Sequence, residues 1–333
     1  MRISIKDVAK AAGVAQSTVS KVINNTGSIS KETIDRVNYH IQELGYEPSG
    51  IASALRNNKT KAIGLLIPDL ANPFFSDLAR LLEDEANHLG YRLSISSTDY
   101  IKEKELSYLK MFLKNNVDGI IIASGMEEID DIKKVVAGKP IVGITREFPS
   151  QNISSISVNN YYGGYKAANY LIDHHHKNLA IIAKPVWGNK ERVRGCQQAV
   201  IDAGLPEMNS RNTLFVETTS TFKEQHWHIK QLLQETPSPT AIIACNNLFA
   251  AKTIQLAKQE RLSVPKDISI IGFDDTVLAQ LMDPPLTTIR QPLQTMAKET
   301  IKLLDQKIHS KTSELQLRLE LELIERDSVA PIY

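Results

Sequence analysis

The stretch VAQSTVSKVINN, Val14–Asn25, decides how the start of this chain folds. It has the length of a short helix, and its valines, Val14, Val19 and Val22, are predicted to form the inward face. The rest of the segment is unusually rich in hydrogen-bonding side chains. These side chains are Gln16, Ser17, Thr18, Ser20, Lys21 and Asn24. A helix with such an outer face either lies against solvent or contacts a polar partner.

Two further helices are predicted around this one. The preceding segment, SIKDVAKAAG, predicts a first helix that is capped by Ser4 and ended by Gly13. The gap between the two helices is only two or three residues, which is typical of a tight helix–helix turn. A third helix is predicted from Ser30 to Gly45, and residues 1–48 contain no strand signal. This pattern predicts a helix-turn-helix unit.

In a helix-turn-helix unit the second helix lies in the major groove of DNA, which accounts for its polar outer face. Some of its side chains are predicted to read base edges, and others are better placed for phosphates. The predicted contacts are Gln16, Ser17 and Lys21 with base edges, Thr18, Ser20 and Asn24 with phosphates, and Ser4 and Ile5 at the start of the first helix. The alternative interpretation is a solvated surface helix without a nucleic-acid partner.

The charge of the chain is distributed unevenly along its length. The 333 residues include 23% charged side chains, and the formal net charge is +1. Residues 1–61 hold nine Lys or Arg against five Asp or Glu, a charge of +4, so the remaining residues carry −3. A basic head on a mildly acidic body favours a polyanionic partner for the head.

The composition excludes several other classes of protein. A chain of this length, with 42% hydrophobic residues, is typical of a globular protein with two or three domains. Cys196 and Cys245 are too few for a disulfide framework or a zinc site, and we expect both thiols to be reduced and buried. The N-terminus does not resemble a signal peptide, and no run of 18 apolar residues occurs. We therefore expect a cytoplasmic, nucleoid-associated protein with no membrane partner.

From Ala62 onward, short apolar runs alternate with helical patterns. The runs are AIGLLIPD, RLSISSTD, GIIIAS, PIVGIT, NLAIIAK, TAIIACNN and ISIIGFDD. Runs of this kind predict buried strands in parallel sheets, and their alternation with helices predicts repeated βαβ units. About ten such units exceed one sheet, so the pattern predicts two doubly wound parallel-sheet lobes.

The apolar runs end in polar residues. These residues are Asp69, Asp99, Ser124, Thr145, Lys184, Asn246 and Asp274. Ligands of open parallel sheets bind beyond the carboxyl ends of the strands, where such residues cluster. The sequence therefore predicts a ligand cleft lined by polar side chains.

The whole chain resembles the lac and galactose repressor family of bacterial transcription regulators, whose larger part is related to periplasmic sugar-binding proteins. The resemblance rests on IKDVAKAAGVAQSTVSKVINN, LGYEPSGIASAL, IGLLIPDLANPFF, VDGIIIAS, RVRG, ISIIGFDD and PPLTTIRQP, in the order of the family. It implies an all-α helix-turn-helix headpiece followed by two α/β lobes of the periplasmic binding protein type I kind. The implied domains are a headpiece at 1–48, a hinge helix and linker at 49–61, an N-terminal lobe at 62–160 plus 292–320, and a C-terminal lobe at 161–291 plus 321–333.

The resemblance also gives a function to the short polar connector SGIASALRNNKTK at 49–61. In the family, the segment matching 49–57 folds into a hinge helix on operator DNA, and two such helices lie together in the minor groove. The matching residues here are Ile51 and Ala52, which would pack between the helices, and Leu55, which would wedge between base pairs. A plain linker is the alternative, but Ile51 and Leu55 offer too little apolar surface for a helix that is stable alone.

The resemblance further implies a set of effector-binding side chains in the cleft. They are Asn72, Phe74, Phe75, Arg146, Lys184, Arg192, Phe222, Asn246, Asp274 and Gln291. Carboxylate, amide and guanidinium groups can bond the hydroxyls of a sugar, while aromatic rings cover its C–H faces. Each residue also has a simpler interpretation. Asn246 and Asp274 could cap helices, Phe222 could belong to the core, and Arg192 could form a surface ion pair.

Three positions depart from the family pattern. Lys21 stands where Arg is usual, so a two-point guanine contact becomes a single-point contact. Ala15 stands where a capping Ser is usual, which weakens the second helix by about 1 kcal/mol. Thr145 stands where an acidic residue is usual, so we expect Arg146 and Arg192 to be less neutralised and to favour an acidic or phosphorylated sugar, with Lys184 as an extra cation.

No catalytic residues, metal site or cofactor are predicted. His174–His176 invites a metal interpretation, but consecutive helical side chains point about 100° apart, which favours a solvated helix end. Asp274 and Asp275 are adjacent after a strand and should point to opposite sides, which argues against a glycosidase pair. The sequence contains no phosphate loop, nucleophile elbow or zinc spacing.

Three classes of function therefore compete: an operator-binding regulator, a sugar-binding receptor without operator-specific regulation, and a sugar-metabolising enzyme. The basic helical head favours the regulator, a repressor of carbohydrate uptake and catabolism genes. Its expected partners are double-stranded operator DNA, a small sugar or sugar phosphate, and a second copy of the chain. No leucine heptads follow LIERDSVAPIY, so we expect a homodimer rather than a tetramer.

Overall fold

The computed structural model describes most of the chain and divides it into two compact units, Met1–Lys61 and Ala62–Tyr333. The described residues are 3–46, 59–123, 135–136, 138–147, 153–208, 212–217, 222–235, 237–310 and 313–333. The predicted hinge residues Ile51, Ala52 and Leu55 lie outside these ranges, and so does Ser124.

The described part of the first unit is the predicted three-helix head. Its helices are α1 (Ile5–Ala11), α2 (Gln16–Ile23) and α3 (Lys31–Glu43). They enclose a small core in which Val8, Val19 and Val37 are fully buried, one from each helix. The helix-turn-helix prediction is therefore confirmed.

The starts of the three helices are held in different ways. At α1, the backbone N–H of Ser4 donates to Asp7 Oδ2 at 2.9 Å and the Ser4 hydroxyl donates to the same oxygen at 2.7 Å. These two bonds, the hydroxyl bond first, lower the pKa of Asp7. At α3, Ser30 Oγ accepts from the backbone N–H of Thr33 at 3.4 Å. Ala15 occupies the cap position of α2, and its side chain makes no capping bond there.

The second unit contains two six-stranded sheets. The strands of the first sheet are β1 (Ala62–Ile67), β2 (Arg92–Ser97), β3 (Gly119–Ile122), β4 (Ile141–Ile144), β5 (Ser154–Val158) and β11 (Gln316–Leu319). Those of the second are β6 (Leu179–Ala183), β7 (Thr213–Phe215), β8 (Ala241–Ala244), β9 (Ser269–Asp274), β10 (Thr287–Arg290) and β12 (Glu322–Ile324). The orders are β11-β5-β4-β3-β1-β2 and β12-β10-β9-β8-β6-β7.

Helices connect and cover these strands. Those of the second unit are α4 (Pro73–His88), α5 (Lys102–Lys114), α6 (Asn160–Asp173), α7 (Trp187–Asp202), α8 (Phe222–Leu233), α9 (Asn247–Gln259), α10 (Val277–Leu281) and α11 (Leu293–His309). The chain passes between the two sheets after β5, after β10 and after β11. Within each sheet the described pairings are parallel, except for antiparallel β10 and β12. Two doubly wound lobes are therefore confirmed.

Two helices of the second lobe approach each other unusually closely. A Cβ placed on Gly164 of α6 would lie 1.9 Å from the carbonyl oxygen of Arg192 in α7. A Cβ placed on Gly195 of α7 would lie 1.8 Å from the carbonyl oxygen of Tyr161. Only glycine fits at either position, so this contact fixes α7, which carries Arg192, against α6.

Two expectations from the sequence differ from the structure, and one buried strand was not among the predicted apolar runs. The run RLSISSTD was predicted to be a buried strand, but β2 is an edge strand and only half-buried, because nothing pairs with its outer side among the described strands. Conversely, β5 has the polar sequence SSISV and is fully buried. Two of its three serines have side-chain partners there: the Ser154 hydroxyl donates to Glu314 at 2.7 Å and the Ser157 hydroxyl donates to Glu147 at 2.9 Å.

The other difference concerns the histidine run. Helix α6 ends at Asp173, and the chain turns through a left-handed conformation at exposed His175, with φ +68°. This turn carries His176 inward, where it is 2% exposed. The prediction of a solvated helix end is therefore wrong for His176, whose ring bonds Thr240 and the backbone of Ala330.

Candidate ligand cleft and nucleic-acid interface

A cleft lies between the two lobes of the second unit, beyond the carboxyl ends of their strands, and contains about 660 Å³ of empty space, counting the part that is open to solvent. Nine of the ten predicted effector residues line it: Asn72, Phe74, Phe75, Arg146, Lys184, Arg192, Asn246, Asp274 and Gln291. The tenth, Phe222, is the first residue of α8, and its side chain lies outside the described part of the chain. The structure thus brings these nine side chains together, and their contact with a ligand stays a prediction.

Two of the lining asparagines serve as helix caps. Asn72 Oδ1 accepts from the backbone N–H of Phe74 at the start of α4, at 3.1 Å. Asn246 Oδ1 accepts from Phe249 at the start of α9, at 2.8 Å. Each amide oxygen is therefore directed to its own helix, and the NH₂ group of each side chain is the one suited to a ligand acceptor.

Arg192 is the most heavily engaged cation in the cleft. Its Nε donates to Asn160 Oδ1 at 2.8 Å, and its Nη1 donates to the backbone oxygen of Cys245 at 2.6 Å. Nη1 also lies 3.6 Å from Asp274 Oδ1, and the guanidinium stacks 3.5 Å from the ring centroid of Phe273. Burial lowers the pKa of Arg192, and the neighbouring Asp274 opposes that shift.

Asp274 is held from two sides. It accepts from Gln291 Nε2 at 2.6 Å and faces Arg192. Burial raises its pKa, while Arg192 and the Gln291 bond act in the opposite direction. The expectation that Arg192 would be poorly neutralised is therefore wrong, because Asp274 supplies the negative charge that Thr145 lacks.

The carboxylate beside Arg146 does not face the cleft. Arg146 is buried and lines the cleft, whereas the adjacent Glu147 turns to the Ser157 hydroxyl and to Arg318 Nε, at 2.9 and 2.5 Å. Thr145 has φ +62°, a left-handed conformation that is costly for a β-branched residue. This strained turn sends the two neighbouring side chains in different directions.

Lys184 reaches Tyr100 from across the cleft. Its Nζ lies 4.3 Å from the ring centroid of Tyr100, which lies just beyond β2 of the opposite lobe. Burial lowers the pKa of Lys184, and the negative charge of Asp69 partly offsets this shift. Asp69 and Asp99 were expected at the cleft edge, but neither is among its lining residues: Asp69 accepts from Ala71 N–H and Asp99 pairs with Lys104.

The adjacent carboxylates of Asp274 and Asp275 point away from each other, as predicted. Asp275 is buried on the far side, where its two oxygens each lie 2.7 Å from an arginine nitrogen, one of Arg290 and one of Arg326. The described residues contain no cluster of three or more His, Cys, Asp or Glu side chains that could hold a metal ion. Both cysteines are free and buried, as predicted.

The chain also matches known protein families in two parts. Residues 168–329 match the periplasmic binding protein-like domain, and residues 4–49 match the bacterial regulatory proteins of the lacI family. The HTH-type transcriptional regulator DegA of Bacillus subtilis (strain 168) is 38% identical over 339 aligned positions, covering 100% of this chain and 99% of DegA. The chain belongs to the lacI family of bacterial regulatory proteins.

Other members of the lacI family agree with this result. Catabolite control protein A of Priestia megaterium is 33% identical, and the match covers 94% of each protein. The crystal structure of the lac repressor dimer bound to operator and the anti-inducer ONPF shares the fold, with a TM-score of 0.88 at 23% identity over 99% of this chain and all of that one. The transcriptional regulator CelR–cellobiose complex gives 0.73 at 26% identity, over 98% and 100% of the two chains.

As a lacI-family protein, this chain is a DNA-binding transcriptional regulator, and helix α2 presents its polar side chains accordingly. Gln16, Ser17 and Lys21 are exposed. Thr18 and Ser20 are half-buried, and the Asn24 amide donates to the backbone oxygen of Ser20 at 2.7 Å, so it also closes the end of α2. Which of these side chains contact DNA stays a prediction.

Several cleft residues of this lacI-family protein were not predicted from the sequence. Tyr100 follows an edge strand, and Trp187 and Asn189 lie in the first turn of α7. Asn160 and Phe273 do not line the cleft, but Asn160 accepts a hydrogen bond from Arg192 and Phe273 stacks on its guanidinium. Trp187 and Asn189 follow an apolar run that ends in Lys184, so extending the strand-end rule to the next helical turn would have found them.

Every helix in the described part of the chain is too short or too polar to span a lipid bilayer.

Proposed function

We propose that this protein is a dimeric repressor that binds a palindromic operator and responds to a small anionic sugar bound in the cleft. One observation carries the proposal: a single chain joins a helix-turn-helix head to a cleft lined by a polar and aromatic ring. The head supplies sequence-specific DNA contacts, and the cleft supplies ligand control. We place its action in the cytoplasm, at the nucleoid.

On DNA, α2 would enter the major groove with Gln16, Ser17 and Lys21 at base edges. Thr18, Ser20 and Asn24 would contact phosphates, and Ser4 and Ile5 would lie near the backbone at the start of α1. Two heads of a dimer would occupy two half-sites about one helical turn apart. Ile51, Ala52 and Leu55 would form the paired hinge helices in the minor groove between them.

In the cleft, the charges favour an anionic ligand. Arg192 and Asp274 compensate each other at 3.6 Å, and Arg146 and Lys184 add positive charge to the lining of the cleft. The NH₂ groups of Asn72 and Asn246 would bond sugar hydroxyls, and Phe74 and Phe75, whose rings meet edge to face at 5.0 Å, would cover apolar faces. The CelR relative was solved with cellobiose, which supports a carbohydrate.

Ligand and operator would be coupled through the angle between the lobes. The chain passes between the sheets three times, and these crossings connect the lobes. A ligand that contacts both walls of the cleft would change the angle between the lobes. That change would decide whether two hinge helices can pair, with a coupling free energy of roughly 1–3 kcal/mol.

The test is operator binding by the full chain. A palindromic duplex is selected from a random pool, and its affinity is measured against salt, where each phosphate contact adds about −0.9 to the slope. Leu55→Ala should weaken binding to the palindrome roughly tenfold or more, because the minor-groove wedge is lost. Leu70→Ala, which removes an exposed leucine of the body, is the matched control and should leave affinity unchanged. Equal affinity of Leu55→Ala and the parent chain would refute the hinge.

A further inference from the structure

An aromatic–cation contact joins the two walls of the ligand cleft. Tyr100 lies beyond β2 of the first sheet, and Lys184 lies beyond β6 of the second. Lys184 Nζ is 4.3 Å from the centroid of the Tyr100 ring, well within the range of a cation–π interaction. Both residues line the cleft, so a ligand there meets this contact directly.

The backbone is strained at Tyr100 and at the residue before it. Asp99 and Tyr100 both adopt left-handed conformations, with φ +53° and +59°, which are unfavourable for residues other than glycine. The turn is fastened through Asp99, whose carboxylate binds Lys104 at 2.5 Å and accepts from the Ser97 hydroxyl at 3.2 Å. Two consecutive strained residues, the second of which lines a cleft, are typical of a functional position.

The ring is a weak partner for the Lys184 ammonium group. Among the described residues, Lys184 takes part in no ion pair, and Asp69 acts on it only as a nearby charge. An aromatic face attracts a cation through its quadrupole but offers it no full charge and no lone pair. A phosphate or carboxylate offers both, so it can displace the ring, whereas a neutral hydroxyl gains little by doing so.

We propose that Tyr100 is a specificity-determining residue of the cleft. Its ring holds the Lys184 ammonium in a cation–π contact, and only a ligand with an anionic group can displace the ring. This inference rests on the proposed function of the cleft as an effector site. It deepens that proposal by assigning the discrimination against neutral sugars to one contact between the lobes. Lys184 is then the residue that binds the anion, and the Tyr100–Lys184 contact is the interaction that a ligand must replace.

The chain carries its own reporter for this proposal. It has two tryptophans, of which Trp187 lines the cleft and Trp227 is 58% exposed on α8. In a Trp227→Phe background, the fluorescence of Trp187 reports on the cleft alone. The probe is inorganic phosphate, titrated into the full-length protein, with neutral glucose titrated in parallel.

Substitutions of Tyr100 and of Lys184 should change phosphate binding in opposite directions. Tyr100→Leu should bind phosphate roughly two- to fivefold more tightly, because the ring no longer competes for the ammonium. Tyr100→Phe keeps an aromatic face and should bind as the parent does, within about twofold. Lys184→Met should lose the saturable response to phosphate. Lys166→Met is the control: Lys166 lies 5.5 Å from the Tyr162 ring on α6, outside the cleft lining, and its removal should change nothing.

Two results would overturn the proposal. Weaker phosphate binding by Tyr100→Leu would mean that the ring supports the ligand rather than competing with it. A parent protein with no saturable response, or one that Lys184→Met leaves intact, would mean that Lys184 binds no anion. Duplex binding by the same variants is measured separately. Retained operator binding with either result would reject this inference and leave the regulator function standing, whereas loss of operator binding by the parent chain would reject the function itself.

Discussion

His176 fastens the C-terminal segment to the second sheet. Its Nδ1 lies 3.1 Å from the Thr240 hydroxyl, just before β8, and its Nε2 lies 3.0 Å from the backbone oxygen of Ala330. The neighbouring backbone adds a further bond, from Ile332 N–H to the oxygen of His174 at 3.0 Å. Burial lowers the pKa of His176 below its ordinary value of 6.5, and the Ala330 bond only partly opposes this.

The protonation of His176 predicts a pH dependence of stability. Because its folded-state pKa lies below 6.5, the unfolded chain takes up a proton first as the pH falls. The free energy of unfolding should therefore decrease below about pH 6.5, by at most about 1.4 kcal/mol per pH unit from this group, until the folded-state pKa is passed. His176→Gln should flatten this decrease in urea titrations between pH 7 and 5.

A histidine of the first lobe provides the control for that experiment. His88 is exposed at the end of α4, so His88→Gln should leave the slope of stability against pH unchanged. If His176→Gln and the parent protein lost stability equally over this range, the buried ring would not be the group that titrates.

At the scale of residues, the sequence predicted the cleft residues that directly follow strands. It did not predict the residues that contact and position those side chains. Asp274, Asn246 and Lys184 end apolar runs, and parallel strands bring such ends together. Tyr100 follows an edge strand through a left-handed turn, and no periodic pattern indicates where that turn directs a ring. Asn160 belongs to α6 and meets Arg192 only because α6 and α7 pack closely.

Helix α2, the proposed recognition element, begins without a side-chain cap. Ala15 has the extended conformation of a cap residue, φ −69° and ψ 150°, but no oxygen on its side chain to accept from the first turn. Ala15→Ser should supply that acceptor and stabilise the start of α2 by about 1 kcal/mol. Amide hydrogen exchange within α2 of the full chain should slow roughly fivefold.

A second alanine tests whether the effect comes from capping. Ala11 is the last residue of α1 and is exposed, so Ala11→Ser introduces the same side chain where no helix begins. Exchange within α2 should not respond to that change. Equal slowing by both substitutions would show that the serine acts by something other than a capping bond.

Burial at the level of elements could be predicted only in part. The strand β1 reads AIGLLI and is buried, which follows from its composition. The strand β5 reads SSISV and is also buried, because Ser154 and Ser157 bond to Glu314 and Glu147, residues far away or in another loop. Hydrophobic patterning cannot show such partners, since it registers polarity and not hydrogen bonding.

On the scale of the whole molecule, ion pairs within each lobe hold the strands that lie next to the chain crossings. Arg318 of β11 binds the buried carboxylate of Glu147. On the second lobe, Arg290 of β10 binds both Asp275 and Glu322 of β12. These pairs hold the last crossing strands to their sheets, so motion between the lobes would be confined to the short crossing segments themselves.

The outer surface of the second lobe offers a site for the proposed dimer. Helix α10 exposes two large apolar side chains one turn apart, Val277 and Leu281, and Leu281 is 74% exposed. Side chains four residues apart lie on the same face of a helix, so they form one apolar strip. Exposed apolar strips on a soluble protein mark contact surfaces, and a second copy of the chain is the partner that a palindromic operator requires.

Leu281→Glu should therefore convert the dimer to monomers in sedimentation velocity, because a charge would be buried without a partner in the interface. Operator affinity should fall roughly a hundredfold or more, since the second head would no longer bind at a high effective concentration. Trp227→Glu places the same charge on another exposed apolar side chain, on α8, and should remain dimeric with unchanged affinity. A dimeric Leu281→Glu protein with full operator affinity would place the interface elsewhere on the body.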